Sequence, residues 1–279
     1  MTIKESLQAA IENLTSHDVG SPRLNAETLL MFTLGCDRAY LYAHPERELT
    51  AEESGRYAQV VSERASGKPS QYIIGHQEFW GLDFLVSPAV LIPRPETEHL
   101  IEAVLELVPD RAASPRIVDV GTGSGCLALT LAHEFPRAEV HGTEISNDAL
   151  DIARINRERL ALARVKFHHC DLLQGLDGDG RFDLILSNPP YVSESEPEKV
   201  QRQVREFEPK VAVFAGPTGL EVYRRLVPQA WDLLLPGGWL LMEIGFSIEA
   251  QVCELLKGWA EVSTRNDLQG IPRVVVARR

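Results

Sequence analysis

The feature that most constrains the fold is the alternation of strand-like and helix-like segments through residues 115–279. Short apolar runs bounded by turn residues are followed there by stretches in which apolar residues recur at helical spacing. Parallel strands need a crossover helix between them, so the alternation predicts an α/β fold with a largely parallel sheet. The predicted strands are residues 116–120, 140–145, 165–172, 182–187, 239–244, 261–268 and 273–277.

The last two of these strands are joined differently from the others. Only the link Gln269-Gly270-Ile271-Pro272 separates them, which is too short to contain a crossover helix. We therefore predict that they form an antiparallel hairpin at the end of the chain.

A glycine-rich loop follows the first predicted strand and precedes a helix predicted to begin at Cys126. Glycines allow positive φ angles and close approach of a ligand to the backbone, and the helix N-terminus supplies free N–H groups. Glu144 ends the second predicted strand, where a carboxylate typically accepts hydrogen bonds from ribose hydroxyls. Together these features predict a nucleoside-containing cofactor. The loop reads Gly121-Thr122-Gly123-Ser124-Gly125.

A rigid polar corner follows the fourth predicted strand, where the chain reads Asn188-Pro189-Pro190-Tyr191. The two prolines remove two backbone donors and fix two φ angles, so the strand must end in a stiff, extended loop. The Asn188 side-chain oxygen and the Pro189 carbonyl are acceptors that suit a flat NH2 group, and Tyr191 offers an aromatic face. A Pro-Pro turn with a purely structural asparagine is the alternative.

The third predicted strand ends in His168-His169-Cys170-Asp171-Leu172, which invites comparison with a zinc site. Adjacent strand residues point to opposite faces, and no distant residue completes a metal-ligand spacing, so we predict no metal. Asp171 is expected to accept from an adenine amino group, with Leu172 packing against the ring.

Residues 2–67 carry no motif for chemistry. Capping boxes at Thr2 and Thr50 and the pair Ser21-Pro22 predict helix starts in a small helical domain, residues 1–70. Two short strands about Gly81 predict a β-hairpin linker, residues 71–95, and residues 96–279 are predicted to form the cofactor-binding domain. Arg94 is equally compatible with a place near the active site and with a solvated turn.

Composition excludes several classes of function. The net charge of −12 argues against duplex nucleic acid as the main partner, because backbone binding needs a basic surface. No apolar stretch is long enough to cross a membrane, and the N-terminus resembles neither a signal nor a transit peptide. Four scattered cysteines without a Cys-x-x-Cys pair predict reduced thiols and a cytoplasmic location.

Two classes of cofactor fit the glycine loop and Glu144. A nicotinamide dehydrogenase would use a Gly-x-Gly-x-x-Gly spacing, which this loop lacks, and a catalytic His, Tyr or Lys. A methyltransferase would bind S-adenosylmethionine at the loop and place its methyl acceptor after strand four. Only the methyltransferase accounts for Asn188-Pro189-Pro190-Tyr191.

The chain resembles a class I S-adenosylmethionine-dependent methyltransferase. The resemblance rests on residues 118–120 with the glycine loop, on Glu144, on Asn188-Pro189-Pro190-Tyr191 and on the terminal hairpin. The chain is similar more specifically to the HemK/PrmC family. This similarity rests on the run Leu91-Ile92-Pro93-Arg94-Pro95-Glu96-Thr97-Glu98, on the stretch 71–75 and on the helical N-terminus. The resemblance spans essentially the whole chain. It implies a Rossmann-like seven-stranded sheet with an antiparallel last strand, preceded by the helical domain and the hairpin linker.

The resemblance also implies the reaction and the partners. The family methylates N5 of the glutamine in the Gly-Gly-Gln motif of class I peptide chain release factors and produces S-adenosylhomocysteine. By this resemblance Asn188 and Tyr191 are catalytic, and residues 188–191 bind the substrate. We further expect a monomer that binds neither nucleic acid stably nor a membrane. The expected cofactor contacts are Gly121, Thr122, Gly123, Ser124, Gly125, Glu144, Asp171, Leu172 and Asn188.

Three alternatives stay open at the level of sequence. Asn-Pro-Pro-Tyr is shared with adenine-N6 methyltransferases that act on nucleic acid, and a related enzyme methylates a glutamine of a ribosomal protein. A cofactor-binding scaffold without catalysis is the third alternative.

Overall fold

The computed structural model describes residues 1–176 and 181–279, which form two compact units, Met1–His76 and Gln77–Arg279. No helix within these described residues is long and apolar enough to cross a membrane.

The first unit is a bundle of five helices around a core that includes Ile3, Leu14, Leu29 and Leu30. The predicted capping boxes are confirmed, because Thr2 and Thr50 each exchange hydrogen bonds with the glutamate three residues on. Ser21 precedes Pro22 as predicted, but its left-handed φ of 51° keeps its hydroxyl from capping the helix. The helices are α1 (Ile3–Ser16), α2 (Pro22–Leu34), α3 (Arg38–Ala43), α4 (Ala51–Ala65) and α5 (Ser70–Ile74).

A two-stranded hairpin, β1 (His76–Phe79) and β2 (Leu82–Leu85), opens the second unit, with its first residue His76 at the end of the first unit. Trp80 and Gly81 form its tip with φ angles of 53° and 71°, as a two-residue turn between twisted strands requires. The structure groups the hairpin with the unit that follows it, and the predicted boundaries 1–70, 71–95 and 96–279 stay a prediction. A 3-10 turn, Pro95–Thr97, then leads into α6 (Glu98–Leu107).

The rest of the second unit alternates strands and helices. These elements are β3 (Arg116–Val120), α7 (Cys126–Glu134), β4 (Glu139–Glu144), α8 (Asn147–Arg159), β5 (Lys166–His169), β6 (Phe182–Ser187), β7 (Val192–Ser193), a 3-10 turn (Pro197–Lys199), α9 (Arg202–Phe207), α10 (Lys210–Val213), β8 (Phe214–Gly216), α11 (Glu221–Leu233), β9 (Leu234–Glu243), α12 (Glu249–Leu255), β10 (Glu261–Asn266) and β11 (Pro272–Arg278).

Seven of these strands form one sheet in the order β10-β11-β9-β6-β3-β4-β5, and β7 pairs with β8 beside it. All pairs among β9, β6, β3, β4 and β5 are parallel, whereas β11 is antiparallel to both of its neighbours. This confirms the predicted sheet with its antiparallel last strand. The strand order reverses between β3 and β6, and ligands bind α/β sheets at the carboxyl edge of such a switch point.

Apolar residues cover both faces of the sheet. Ile117, Leu184 and Leu186 belong to one buried cluster, and Val118 and Ile185, their neighbours along the strands, belong to the other. Side chains alternate between the faces, so a strand buried on both sides reads as a continuous apolar run. This burial explains why β3 and β6 were predicted with the correct boundaries.

The sequence after Ser146-Asn147-Asp148 also predicts a helix whose Leu150, Ala153 and Ile155 face the sheet, and this prediction is wrong for Ile155. Leu150 and Ala153 are fully buried, whereas Ile155 is 43% exposed. Ile155 is five residues after Leu150, whereas residues on the same face of a helix are three or four residues apart. Its side chain therefore points away from the buried face.

Candidate active site

A pocket lies at the carboxyl edge of the sheet, on both sides of the switch point. The loop after β3, the ends of β4 and β5, and the chain after β6 all contribute to it. Of the predicted site residues, Gly121, Thr122, Gly123, Ser124, Glu144, Asp171, Leu172, Asn188 and Pro190 line this pocket, and Gly125, Pro189 and Tyr191 do not.

The glycine loop takes a path that few other residues could follow. Gly121, Gly123 and Gly125 have φ angles of 74°, 54° and 84°, in the left-handed region that glycine tolerates. A Cβ atom on Gly125 would also lie 2.9 Å from Leu129 Cδ1 of α7. The backbone of the loop therefore packs closely against α7, and the start of this helix faces the pocket.

Glu144 organises the loop through backbone hydrogen bonds. Its Oε2 accepts from the N–H of Gly123 at 3.0 Å, and its Oε1 accepts from the N–H groups of Ile145 and Ser146 at 2.9 and 3.0 Å. A carboxylate has about four acceptor sites, so capacity for a ribose hydroxyl is left. The side chain thus fixes the end of β4 and still presents acceptors to the pocket.

Asp119 is a buried acid that the sequence prediction did not include among the site residues. Its Oδ2 accepts from Thr122 Oγ1 at 2.6 Å and from the N–H of Ala128 at 3.2 Å. Burial raises the pKa of Asp119 to about 7, although the hydrogen bonds from Thr122 and Ala128 oppose the shift. An acidic residue inside the apolar run 116–120 was the available signal, because such a residue needs a local reason to be buried.

Three buried oxygens in and beside the loop have no hydrogen-bond partner among the described residues. They are Asp119 Oδ1, Ser124 Oγ and Thr143 Oγ1, and all three residues line the pocket. Unpaired polar atoms are costly in a native structure and call for a partner. A carboxylate oxygen suits an ammonium group and a hydroxyl suits either a donor or an acceptor. The amino-acid portion of S-adenosylmethionine carries such groups, so these residues fit that cofactor.

Asp171 and Leu172 lie just beyond β5 and line the pocket as expected. Oδ2 of Asp171 is paired with Arg225 of α11, which leaves Oδ1 as the acceptor available to a ligand. Leu172 has a φ of 54°, a rare conformation for a leucine. Arg225 also lines the pocket, and sequence reasoning did not identify it.

On the other side of the switch point, Asn188 is held by a chain of side-chain hydrogen bonds. Its Nδ2 donates to Thr97 Oγ1 at 3.0 Å, and Thr97 Oγ1 donates to Glu243 Oε2 at 2.6 Å. Thr97 and Glu243 are buried, with 2% and 3% of their surface exposed. Because the amide NH2 is engaged by Thr97, the Asn188 Oδ1 is left to face a ligand.

Burial raises the pKa of Glu243 to about 7, and the charge of Glu96 adds to this shift. The hydrogen bond from Thr97 and the charges of Arg273 and Arg94 oppose it. Neither Thr97 nor Glu243 was predicted as a site residue. Glu243 carries the same signal as Asp119, an acid at the end of an apolar strand.

Tyr191 lies behind the pocket. A Cβ atom on Gly245 would lie 2.9 Å from Tyr191 Cδ2, so only glycine allows this close approach of the ring to the backbone. Burial raises the pKa of the Tyr191 phenol, which therefore stays protonated at neutral pH. The predicted contact of this ring with the substrate stays a prediction.

Arg94 lies near the site, which decides between the two possibilities left open by the sequence. It lines the pocket and pairs with the buried carboxylate of Glu208, which also accepts from the N–H of Ile92 at 3.2 Å. The Glu208 side chain thereby joins the segment that precedes α10 to Arg94, and Pro209, Val211 and Ala212 of this segment line the pocket.

The histidines of β4 and β5 do not converge on one point. His168 Nε2 lies 2.9 Å from His141 Nδ1, whereas His169 Nε2 lies 2.8 Å from the carbonyl oxygen of Ile145. Within residues 1–176 and 181–279 no group of three or more His, Cys, Asp or Glu side chains could hold a metal ion.

Comparisons with known proteins match both units. Residues 5–75 match the family described as the PrmC N-terminal domain, and residues 97–207 match the methyltransferase small domain. A protein of Koribacter versatilis called release factor glutamine methyltransferase is 57% identical over 279 residues, which cover 100% of this chain and 99% of that protein. A protein of the same name from Geobacter sulfurreducens is 43% identical and covers 99% of this chain and 96% of its own.

Solved structures share the fold. A methyltransferase from Pyrococcus furiosus superposes with a TM-score of 0.51 at 21% identity and covers 81% of this chain and 98% of its own. The hMettl16 catalytic domain in complex with a MAT2A 3′UTR hairpin has a TM-score of 0.58 at 19% identity, over 78% of this chain and 81% of its own. At these identities the likeness concerns the fold of the sheet and its helices.

Proposed function

This chain belongs to the family of release factor glutamine methyltransferases, and from that premise we propose how it acts. It transfers a methyl group from S-adenosylmethionine to the side-chain nitrogen N5 of the glutamine in the Gly-Gly-Gln motif of class I peptide chain release factors. The product of the cofactor is S-adenosylhomocysteine. The geometric observation behind the assignment of residues is that Asn188 lies across the switch point from the glycine loop, in the same pocket.

The residues after β3, β4 and β5 would hold the cofactor. Glu144 would accept from the ribose hydroxyls, Asp171 Oδ1 from the adenine amino group, and Asp119 Oδ1 from the ammonium group. Leu172 would pack against the adenine. When bound, the cofactor supplies an electrophilic methyl group on a sulfonium.

The residues after β6 would hold the acceptor. An amide nitrogen is a poor nucleophile, because its lone pair is delocalised into the carbonyl group. Asn188 Oδ1 and the Pro189 carbonyl would accept from the glutamine NH2, fix its orientation and favour the positive charge that develops on nitrogen. Orientation of this kind is worth roughly 7–11 kcal/mol in well-aligned intramolecular reactions. As the N–C bond forms, the S–C bond of the sulfonium breaks, and the strongly acidic N-methylated amide then loses its extra proton to water, so no strong base is needed. Pro190 and Tyr191 would keep this corner rigid and form its wall.

The remaining expectations belong to the same proposal. The protein partner is a release factor, nucleic acid is not bound stably, and the enzyme acts as a monomer in the cytoplasm. The net charge of −12 supports a protein rather than a nucleic acid as partner. All four cysteines are free thiols, which is consistent with a reducing compartment.

A labelled-methyl assay tests the function. Purified protein is incubated with labelled S-adenosylmethionine and, separately, with release factor, ribosomal protein, DNA and RNA. We expect label only on release factor, at the Gly-Gly-Gln glutamine when located by mass spectrometry, and none when that glutamine is replaced by alanine. Label on nucleic acid would support an adenine methyltransferase, and label on a ribosomal protein would support the related glutamine methyltransferase. Cofactor binding without any transfer would indicate a scaffold.

A further inference from the structure

Asn188 can serve as an acceptor for the substrate only if its amide is turned the right way. The oxygen and the nitrogen of an asparagine side chain are interchangeable in shape but opposite in hydrogen bonding. With the oxygen toward the pocket the residue receives a substrate NH2, and with the nitrogen toward the pocket two donors face each other. Something in the structure must therefore select one orientation.

The Thr97 hydroxyl is placed to make that selection. It lies 3.0 Å from Asn188 Nδ2 and 2.6 Å from Glu243 Oε2, and it has one proton to donate. An ionised Glu243 can only accept, so Thr97 gives its proton to Glu243 and offers Asn188 a lone pair. Asn188 must then turn its NH2 toward Thr97 and its Oδ1 toward the pocket.

A protonated Glu243 permits the opposite arrangement. The acid donates its proton to Thr97, and Thr97 can then donate to the Asn188 oxygen, which turns the NH2 toward the pocket. We propose that Thr97 and Glu243 are positioning residues for methyl transfer, with the ionised carboxylate of Glu243 orienting the Asn188 amide through the Thr97 hydroxyl. The inference rests on the proposed function, because it assumes that Asn188 receives an amide NH2.

The register of the strands makes this arrangement a built feature of the fold. Ser187 pairs with Met242 across β6 and β9, so Asn188 and Glu243 both follow a paired residue at the same edge of the sheet. The Tyr223 hydroxyl donates to the backbone carbonyl of Glu243 at 2.6 Å and fixes that residue from α11. Thr97 reaches both side chains from the turn before α6.

The surroundings of Glu243 allow it to change protonation near neutral pH. Its pKa of about 7 results mainly from burial. Burial also raises the pKa of Tyr191 and Tyr223, and it raises the pKa of Cys126 to about 12, so these groups stay protonated. The titratable and charged groups that face Glu243 are Arg94, Glu96, Cys126, Tyr191, Tyr223 and Arg273.

The test compares the kcat of three variants with that of the unaltered enzyme, at saturating cofactor and release factor, between pH 6 and pH 8.5. The kcat of the unaltered enzyme should fall about tenfold per pH unit below the Glu243 pKa, because the orienting form is lost. T97V removes the hydroxyl at constant volume and should lower kcat at pH 8 about 10-fold or more, whereas T97S should stay within about threefold. The affinity for S-adenosylhomocysteine, measured by calorimetry, should stay unchanged in both.

The E243Q variant provides the sharpest readout. Its amide can accept from Thr97 or donate to it at every pH, so its kcat should lie between the two limits of the unaltered enzyme and should not vary with pH. A T97V kcat equal to that of the unaltered enzyme, or an E243Q variant that keeps the same pH dependence, would overturn the inference. Absence of methyl transfer by the unaltered enzyme would instead refute the proposed function. Thermal melts identify a variant that fails to fold, and if T97V does so, the pH dependence of the E243Q kcat decides.

Discussion

The loops after β3, β4 and β5 line the cofactor half of the pocket, and the loop after β6 lines its acceptor half together with Arg94 and Thr97. In the cofactor half the glycine loop is held by local contacts, Asp119 with Thr122 and Glu144 with Gly123, which are 3 and 21 residues apart. Asp171, by contrast, pairs with Arg225, 54 residues away. In the acceptor half, Thr97 and Glu243 are 146 residues apart and Asn188 and Thr97 are 91 apart. The glycine loop is therefore fixed within a short stretch of backbone, whereas Asn188 is fixed by side chains from distant segments.

The difference indicates which property a substitution in each half should change. Local backbone contacts are specified by residue types such as glycine, whose φ angles no other residue adopts as readily. A relay of side chains depends instead on the register of the sheet and on the protonation of one buried acid. We therefore expect changes in the cofactor half to alter binding, and changes in the acceptor half to alter kcat.

The largest effect should follow removal of the Asn188 amide. Asn188→Ala should lower kcat by about 10²–10³-fold, the range found when one preorganised polar group is removed from an active site. The Kd for S-adenosylhomocysteine should change by less than about threefold, because the cofactor half is left intact. Steady-state kinetics with release factor and calorimetry measure the two quantities. Asn266→Ala, at an exposed position on β10, is the matched control. Unchanged turnover would remove Asn188 from the mechanism.

The converse effect is expected for Asp119. Asp119→Asn keeps an oxygen for Thr122 and Ala128 but replaces the unpaired Oδ1 with a donor, which would face the cofactor ammonium. The Kd for the cofactor should rise about 10–100-fold, because a hydrogen bond to a charged group is worth about 1.5–3 kcal/mol. The kcat at saturating cofactor should change little. The ionised acid is the binding form, so affinity in the unaltered protein should weaken as the pH falls below about 7, the pKa of Asp119.

Asp183→Asn supplies a control for this experiment. Asp183 also lies in a sheet strand and accepts the backbone N–H of Arg116 at 2.8 Å, but it does not line the pocket. If the two variants lose the same affinity, the effect on Asp119 is structural and the division of the pocket into two halves is wrong.

This contrast also explains how much could be predicted from sequence. The sheet, the antiparallel β11 and the glycine loop with Glu144 could be predicted, because apolar periodicity, short links and glycine spacing are local signals. The partners Thr97, Glu243 and Arg225 could not, because their contacts depend on how distant strands align. Ile155 was predicted to face the sheet but is exposed, because apolar spacing does not define the direction of each side chain around a helix accurately enough. The Ser21 hydroxyl does not cap its helix, because capping depends on the φ angle of one residue, which the sequence pattern does not specify.

Stability measurements can sharpen the comparison from the acceptor side. The folded pKa of Glu243 is about 7, against 4.5 for an unperturbed glutamate, so the folded state holds a proton that the unfolded state has lost. Stability from this group is fully present below the unfolded pKa and is lost as the pH rises through the folded pKa. Relative to the unaltered protein, Glu243→Gln should therefore gain on the order of 2 kcal/mol in unfolding free energy between pH 5.5 and pH 8.

Urea unfolding at the two pH values measures this gain. Glu261→Gln is the control, because Glu261 lies exposed on the edge strand β10 and pairs with Arg278 across the hairpin. It should show no comparable gain. A Glu243→Gln variant whose stability relative to the unaltered protein is the same at both pH values would mean that Glu243 titrates normally and cannot act as a switch.

The smallest effect is expected at Gly245, which tests the wall of the acceptor half. Gly245→Ala would place a methyl group 2.9 Å from Tyr191 Cδ2, so the ring must shift. Such overpacking typically costs about 1–3 kcal/mol in stability, and we expect kcat to fall about fivefold with cofactor affinity unchanged. Gly20→Ala, where a Cβ atom meets nothing within 4 Å, controls for the substitution itself. A Gly245→Ala enzyme with normal kcat but reduced cofactor affinity would show that the Tyr191 ring supports the cofactor rather than the acceptor, and the boundary between the halves would then lie beyond residue 191.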